Sequence, residues 1–198
     1  MDLDTTPLVH LNLFKYESLI PFCYFSLFGG VRDFFMLRGS SMKVISVQYD
    51  YYETTDDKPY TFKTACRVKM VLQDWYEPNG NRFICELELL PGFKTDGASI
   101  PKIFQWFLPS WDKKNGMYNI GPTIHDALYA NKGFLIFDRE QCDDILRGIW
   151  RDSGIGRFKA GLADKCVEWF AGGSNHWGND SYNVKDLVKL KLFKKMED

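Results

Sequence analysis

The chain has 198 residues, 45% of them hydrophobic and 16% aromatic, with 6 Trp, 10 Tyr and 16 Phe. That much apolar material builds a core and excludes global disorder, and the length suits one domain with extensions. Lys+Arg at 25 against Asp+Glu at 26 leaves a formal net charge of -1, far from the basic balance of a nucleic-acid protein, so no nucleic-acid partner is expected.

The cysteines are Cys23, Cys66, Cys85, Cys142 and Cys166, an odd number with no C-x-x-C spacing. This argues against a disulfide framework and a thiolate zinc site, and it fits a reducing compartment. Cys85 and Cys166 occupy apolar periodic positions and read as small core residues.

Residues 1–41 form an N-terminal extension unlike the rest. Ser18 to Val31 is nearly continuous apolar and aromatic sequence, interrupted by Pro21, Gly29 and Gly30. It is shorter than the roughly 20 residues of a spanning helix and lacks the cationic start and cleavage site of a signal peptide. Neither a transmembrane span nor a signal peptide is therefore expected. Three readings stand: a packed extension, a partner-binding arm, or sequence upstream of a true start at Met42, with Arg38-Gly39 encoded by a ribosome-binding stretch.

From Met42 the pattern is regular. Lys43 to Tyr49 alternates, with Ile45, Val47 and Tyr49 against Val44, Ser46 and Gln48, and reads as a strand. Asp50 to Pro59 reads as a loop. Val68, Met70 and Leu72 recur at period two. After the turn signal Pro78-Asn79-Gly80-Asn81, Cys85, Leu87 and Leu89 point inward and Glu86 and Glu88 outward, which makes a hairpin with one wet face.

Helices follow. Pro101 starts one with Phe104, Phe107 and Leu108. Pro122 fits the first position of a helix carrying Ile124 to Tyr129, closed by Asn131 to Gly133. Asp138 with Gln141 is a capping pair, and Cys142, Ile145, Leu146, Ile149 and Trp150 form the stripe of an amphipathic helix ended by Gly154 and Gly156. A further helix shows Phe158, Leu162, Cys166, Trp169 and Phe170 on one face and stops at Gly172-Gly173. Residues 172–198 are a Lys/Leu-rich tail, expected as a solvated terminal helix packed on the domain, with a membrane or nucleic-acid patch as the other reading. The fold class is α+β: residues 42–171 form a single domain, a small antiparallel sheet followed by about three to four packed helices.

Of three histidines, His10 lies in the extension; the others are His125 and His176. His125 and Tyr129 are i and i+4 and share a helix face, while Asp126 points about 100° away. An imidazole exchanges protons near neutral pH and needs a carboxylate to fix its tautomer if it is to act as a base. Asp143, flanking the apolar stripe of the next helix, supplies one; Asp144 falls on the more exposed side and reads as solvated. The bland reading is a satisfied hydrogen-bond network of His125, Tyr129 and Asp143 that locks two helices together. Upstream, Thr95-Asp96-Gly97-Ala98-Ser99-Ile100-Pro101 reads as a strand-to-helix corner, or as a segment turning Asp96 or Ser99 toward the histidine. Ser99 lacks the G-x-S-x-G context of a nucleophile elbow. Nucleotide-binding glycine motifs and H-E-x-x-H are missing, as are the histidines that metal-dependent His-Asp phosphohydrolases place before their H-D pair.

T-D-G-A-S-I-P, then I-H-D-A-L-Y, then C-D-D-I-L, a Gly-rich gap and a final apolar helix together resemble the phage and prophage family called domain of unknown function 1353. The match spans about Phe93 to Trp169, with Cys142 where that family usually has Ala. The resemblance implies a phage or prophage origin, and an accessory or virion-associated protein in the host cytoplasm or the virion is expected; the apolar arm lies outside the match and is the expected contact for a phage or host protein partner. It brings no established activity. Locally, H-D-x-x-Y followed by Cys-Asp on an antiparallel helix is similar to the phospholipase A2 site. That likeness implies a small hydrolase of lipid or other esters in which His125 activates water, Tyr129 and Asp143 orient it, and Asp126 binds calcium. The Gly-rich calcium loop is absent, since Lys113-Lys114-Asn115-Gly116 holds one glycine, so no cofactor is predicted.

Overall fold

The structure, a computed structural model, describes residues 41–74, 82–106, 108–156, 159, 162 and 177–194. Its order is β1 (Met42–Tyr49), β2 (Tyr60–Thr61), β3 (Cys66–Asp74), β4 (Arg82–Leu89), β5 (Lys94–Thr95), α1 (Gly116–Ala130), α2 (Arg139–Asp152) and β6 (Val188–Lys194). The fold is α+β. A four-stranded antiparallel sheet of order β1-β3-β4-β6 packs one face on the two helices, and a small β2-β5 ribbon stands beside it.

The β3–β4 hairpin has the expected register. Cys66 pairs with Leu89 and Gln73 with Arg82; Cys85, Leu87 and Leu89 are completely buried. Glu86 and Glu88 lie on the wet face, where Lys69 and Lys189 approach them at 3.8 and 3.6 Å. The turn at Asn79-Gly80 lies outside the described residues.

β1 departs from simple alternation. Val44 pairs with Leu72 and Ser46 with Val71, so Ile45 is skipped in a β-bulge and left 36% exposed, although its spacing placed it with Val47. The extra residue turns Met42 and Val44 to the same side as Val47, because a bulge shifts the phase of the strand by one. Val44 then meets α2 where Gly148 leaves room: a Cβ there would come 2.4 Å from Val44 Cγ2. Asp144, expected to be merely solvated, accepts the Met42 N–H at 2.9 Å and the Arg147 guanidinium at 2.8 Å, tying α2 to the start of β1.

The C-terminal tail is a strand, not a terminal helix. β6 pairs with β4, Leu190 opposite Leu87 and Leu192 opposite Cys85. Val188, Leu190 and Leu192 share one face and Lys189 and Lys191 the other, a period of two. The far side of β4 carries unpaired backbone donors and acceptors over a buried core, and a two-period segment satisfies them better than a helix laid on top.

Two α-helices stand among the described residues, fewer than the three to four expected. Pro101 opens only a short 3-10 turn, Lys102–Phe104, and the segment 158–170 lies largely outside the described residues. α1 begins six residues before Pro122, at Gly116, with the Asn115 side chain accepting from Tyr118 N at 3.0 Å. Pro122 has no N–H for the Tyr118 carbonyl, and the Trp150 indole N–H of α2 donates to that oxygen instead at 3.2 Å. The missing bond is replaced by a tertiary one. α2 has the capping box of Asp138 and Gln141, and its stripe from Cys142 to Trp150 is buried.

Candidate functional site

α1 and α2 pack antiparallel through a reversal in which Lys132, Gly133, Phe134 and Leu135 all have positive φ, at 49, 62, 54 and 62°. L-residues resist that conformation, and the turn delivers Arg139 and Asp143 to the face of α1 that carries His125 and Tyr129.

His125 Nε2 lies 2.8 Å from Asp143 Oδ1, and the Tyr129 hydroxyl donates to that same oxygen at 2.7 Å. Arg139 Nε in turn donates to the Tyr129 hydroxyl oxygen at 3.2 Å. The rings of His125 and Tyr129 are 4.0 Å apart, Trp177 meets Tyr129 edge-on at 5.0 Å, and the Gly178 N–H donates to the Tyr129 carbonyl at 2.9 Å. The His125 and Asp143 side chains are 11% and 14% exposed.

Burial alone would raise the Asp143 pKa. The His125 hydrogen bond and charge, the Tyr129 O–H and the nearby Arg147 outweigh it and hold the carboxyl below its ordinary value. Asp143 is therefore ionised and can only accept, which assigns the Nε2 proton to His125 and leaves Nδ1 with the lone pair when the ring is neutral. Among the described residues Nδ1 has no hydrogen-bond partner. Tyr129 is held neutral, its pKa raised by burial and by Asp143 against the pull of Arg139.

Asp126 belongs to a separate group on the other side of α1. The Thr95 hydroxyl donates to its Oδ2 at 2.5 Å while accepting the Gly97 N–H at 3.0 Å. Burial, then repulsion from Asp96, push the Asp126 carboxyl up to about 8, against weaker pulls from Thr95 and Lys58. Tyr182 lies in the same field, its pKa raised by burial, Asp96 and Asp126. Asp96 thus faces Asp126 and Tyr182. Ser99 is exposed on the corner, and no contact joins it to the histidine. His10 and His176 lie outside the described residues.

The group does not fit calcium. Asp126 Oδ2 is committed to the Thr95 hydroxyl, and no glycine-rich loop of carbonyl oxygens faces it among the described residues. No three His, Cys, Asp or Glu side chains converge as ligands among the described residues. No helix there is long and apolar enough to cross a membrane. A shallow depression lined by Arg67, Glu86, Glu88, Lys189 and Lys191 lies on the wet face of the sheet, away from His125.

Thr95, Arg139 and Trp177 were not singled out by sequence. Arg139 carried a usable signal, since it stands four residues before Asp143 and so shares its helix face. Thr95 sat inside the T-D-G-A-S motif. Trp177 meets Tyr129 across a long stretch of chain, and no spacing rule reaches it.

No curated protein and no solved structure matches the chain. A family model described as "Protein of unknown function (DUF1353)" matches residues 71–167. That span holds the end of β3, all of β4, the Thr95–Ser99 corner, both helices and the residues His125, Asp126, Tyr129, Arg139 and Asp143. Over residues 71–167 the chain is similar to the DUF1353 family.

Proposed function

We propose that this is a phage- or prophage-encoded accessory protein that works as a small hydrolase of esters, lipid esters included, with His125 as general base. The observation that supports it is the division of labour on one ring: Nε2 is anchored on an ionised carboxylate while Nδ1 has no protein partner among the described residues. In this reading Nδ1 takes a proton from water as the water oxygen attacks the ester carbonyl. The C–O bond to the leaving alcohol breaks, and the imidazolium returns the proton to the departing oxygen, leaving acid and alcohol. Asp143 stays ionised throughout and stabilises the imidazolium. Tyr129 and Asp143 orient the ring. Asp96 and Ser99 take no step. The host cytoplasm or the virion is the proposed location, and the N-terminal arm the proposed contact to a phage or host protein.

One observation favours a second reading. The His125 and Asp143 side chains are nearly buried between two helices, as a junction that locks α1 to α2 would be, in a virion-associated protein without turnover. A single pair of measurements separates the two. The full chain and His125→Gln are assayed on a short-chain aryl ester and on dispersed phospholipid, and their unfolding midpoints are compared. Turnover by the wild type that disappears in the variant, with little change in midpoint, supports the hydrolase. No turnover by the wild type, with a variant destabilised by about 1–3 kcal/mol, establishes the junction and sinks the base.

A further inference from the structure

The chain of donors around Asp143 has a member outside the dyad and outside the family's H-D-x-L-Y and Asp motifs. Arg139, the first residue of α2, is one turn before Asp143 and directs Nε at the Tyr129 hydroxyl, 3.2 Å away. A guanidinium only donates, so the hydroxyl oxygen must accept from Arg139. The hydroxyl proton is then left for Asp143 Oδ1, at 2.7 Å, and His125 Nε2 reaches that same oxygen at 2.8 Å. Two donors therefore compete for one carboxylate oxygen, and the strength of one is set by Arg139, because a hydroxyl that accepts a charge-assisted hydrogen bond becomes a stronger donor.

We propose that Arg139 is a positioning residue: by polarising the Tyr129 hydroxyl it weakens the hold of Asp143 on His125 Nε2–H, and so sets how strongly the imidazole is anchored. The arrangement concerns the site of the proposed hydrolase but holds with or without turnover. The charged and titratable groups around His125 on α1 are Tyr129 and Asp126, with Asp126 turned to Thr95 and Asp96 at the β5 corner. On α2 they are Asp143, Arg139 and Arg147, the last acting on Asp143 and hydrogen-bonded to Asp144. Arg139 reaches the dyad through the Tyr129 hydroxyl, which makes the mechanism separable from a through-space charge effect.

The test is a double-mutant cycle read by NMR of the imidazole in the full-length chain, at one pH where His125 is neutral. The Nε2–H proton resonance moves downfield as its hydrogen bond to Asp143 strengthens. Tyr129→Phe removes the competing donor, and a downfield shift is expected. Arg139→Met should shift the resonance in the same direction by a smaller amount. In the Tyr129→Phe background, Arg139→Met should add nothing further, since the hydroxyl through which it acts has gone. Full additivity of the two shifts, or a wild-type resonance in Arg139→Met, overturns the proposal. Should Arg139→Met fail to fold, Arg139→Gln replaces it in the cycle with the same expected outcomes. An absence of hydrolysis by the wild type would sink the hydrolase reading while leaving this cycle intact.

Discussion

Two carboxyl groups, Asp126 on α1 and Asp143 on α2, carry opposite electrostatic fates. Asp143, which His125 engages, is held below the ordinary carboxylate value; Asp126, the next residue after His125, is pushed up to about 8. Their contributions to stability run in opposite directions with pH. Asp143 stabilises the fold above the ordinary carboxylate pKa, and that contribution is lost as pH falls through its lowered folded value. Asp126 keeps its proton in the fold and releases it on unfolding from its ordinary value of 3.8. Between those two values the folded state binds more protons, so stability from this group is greatest at low pH and declines toward pH 8, by up to about 1.4 kcal/mol per pH unit. Asp126→Asn keeps an acceptor for Thr95 and removes the titration. Urea midpoints from pH 5 to 8 should fall less steeply for Asp126→Asn than for the wild type. Parallel curves would show that Asp126 is ionised in the folded chain.

At the scale of the elements, the close approach of α2 to β1 rests on Gly148. Inside a helix, Gly→Ala ordinarily gains on the order of 1 kcal/mol. Here the added Cβ would sit 2.4 Å from Val44 Cγ2 and 2.6 Å from Val44 Cβ, so packing outweighs propensity. Gly148→Ala should destabilise by about 1–3 kcal/mol, measured by chemical denaturation, and the double variant with Val44→Ala should recover part of the loss. A stabilised Gly148→Ala would mean that the bulge at Ile45 can slide and release Val44. Trp150 is a second such point. Trp150→Phe removes the donor that satisfies the Tyr118 carbonyl above Pro122, and a loss of roughly 1–3 kcal/mol is expected in the same measurement.

Over the whole molecule, the described C-terminal strand completes the main sheet. β6 covers the free side of β4, and its Val188 belongs to the main core. A chain ending at Leu187 leaves that side of β4 without backbone partners and should lose cooperative thermal unfolding or aggregate. A chain beginning at Met42 should instead keep a single transition near that of the full chain. Met42 N donates to Asp144 at 2.9 Å, and the new terminal ammonium would carry a positive charge into the same contact. A molten product from the shorter N-terminal truncation would mean that residues 1–41 complete the core.

Local rules of period and capping carried much of the fold. Residues 85–89 at period two, the Asp138–Gln141 box and the stripe from Cys142 to Trp150 each depend on neighbours within a turn or a hairpin, so their sequence alone determined the element and its buried face. The pairing of His125, Tyr129 and Asp143 was legible for the same reason: helical phase puts the first two on one face, and an antiparallel partner must turn Asp143 toward them. What remained undetermined was set by distant groups. The Lys/Leu tail became a strand because β4 had an open edge, and Pro122 fell inside α1 because Trp150 supplied the missing donor. Ile45 was pushed out because α2 and Gly148 drew Val44 in. Asp126 left its neighbour His125 for Thr95 because the β5 corner packs on the other side of α1, and burial there keeps its proton on. Periodicity is a property of the chain; the partner that satisfies a backbone oxygen, fills a face or desolvates a carboxyl is a property of the packed molecule.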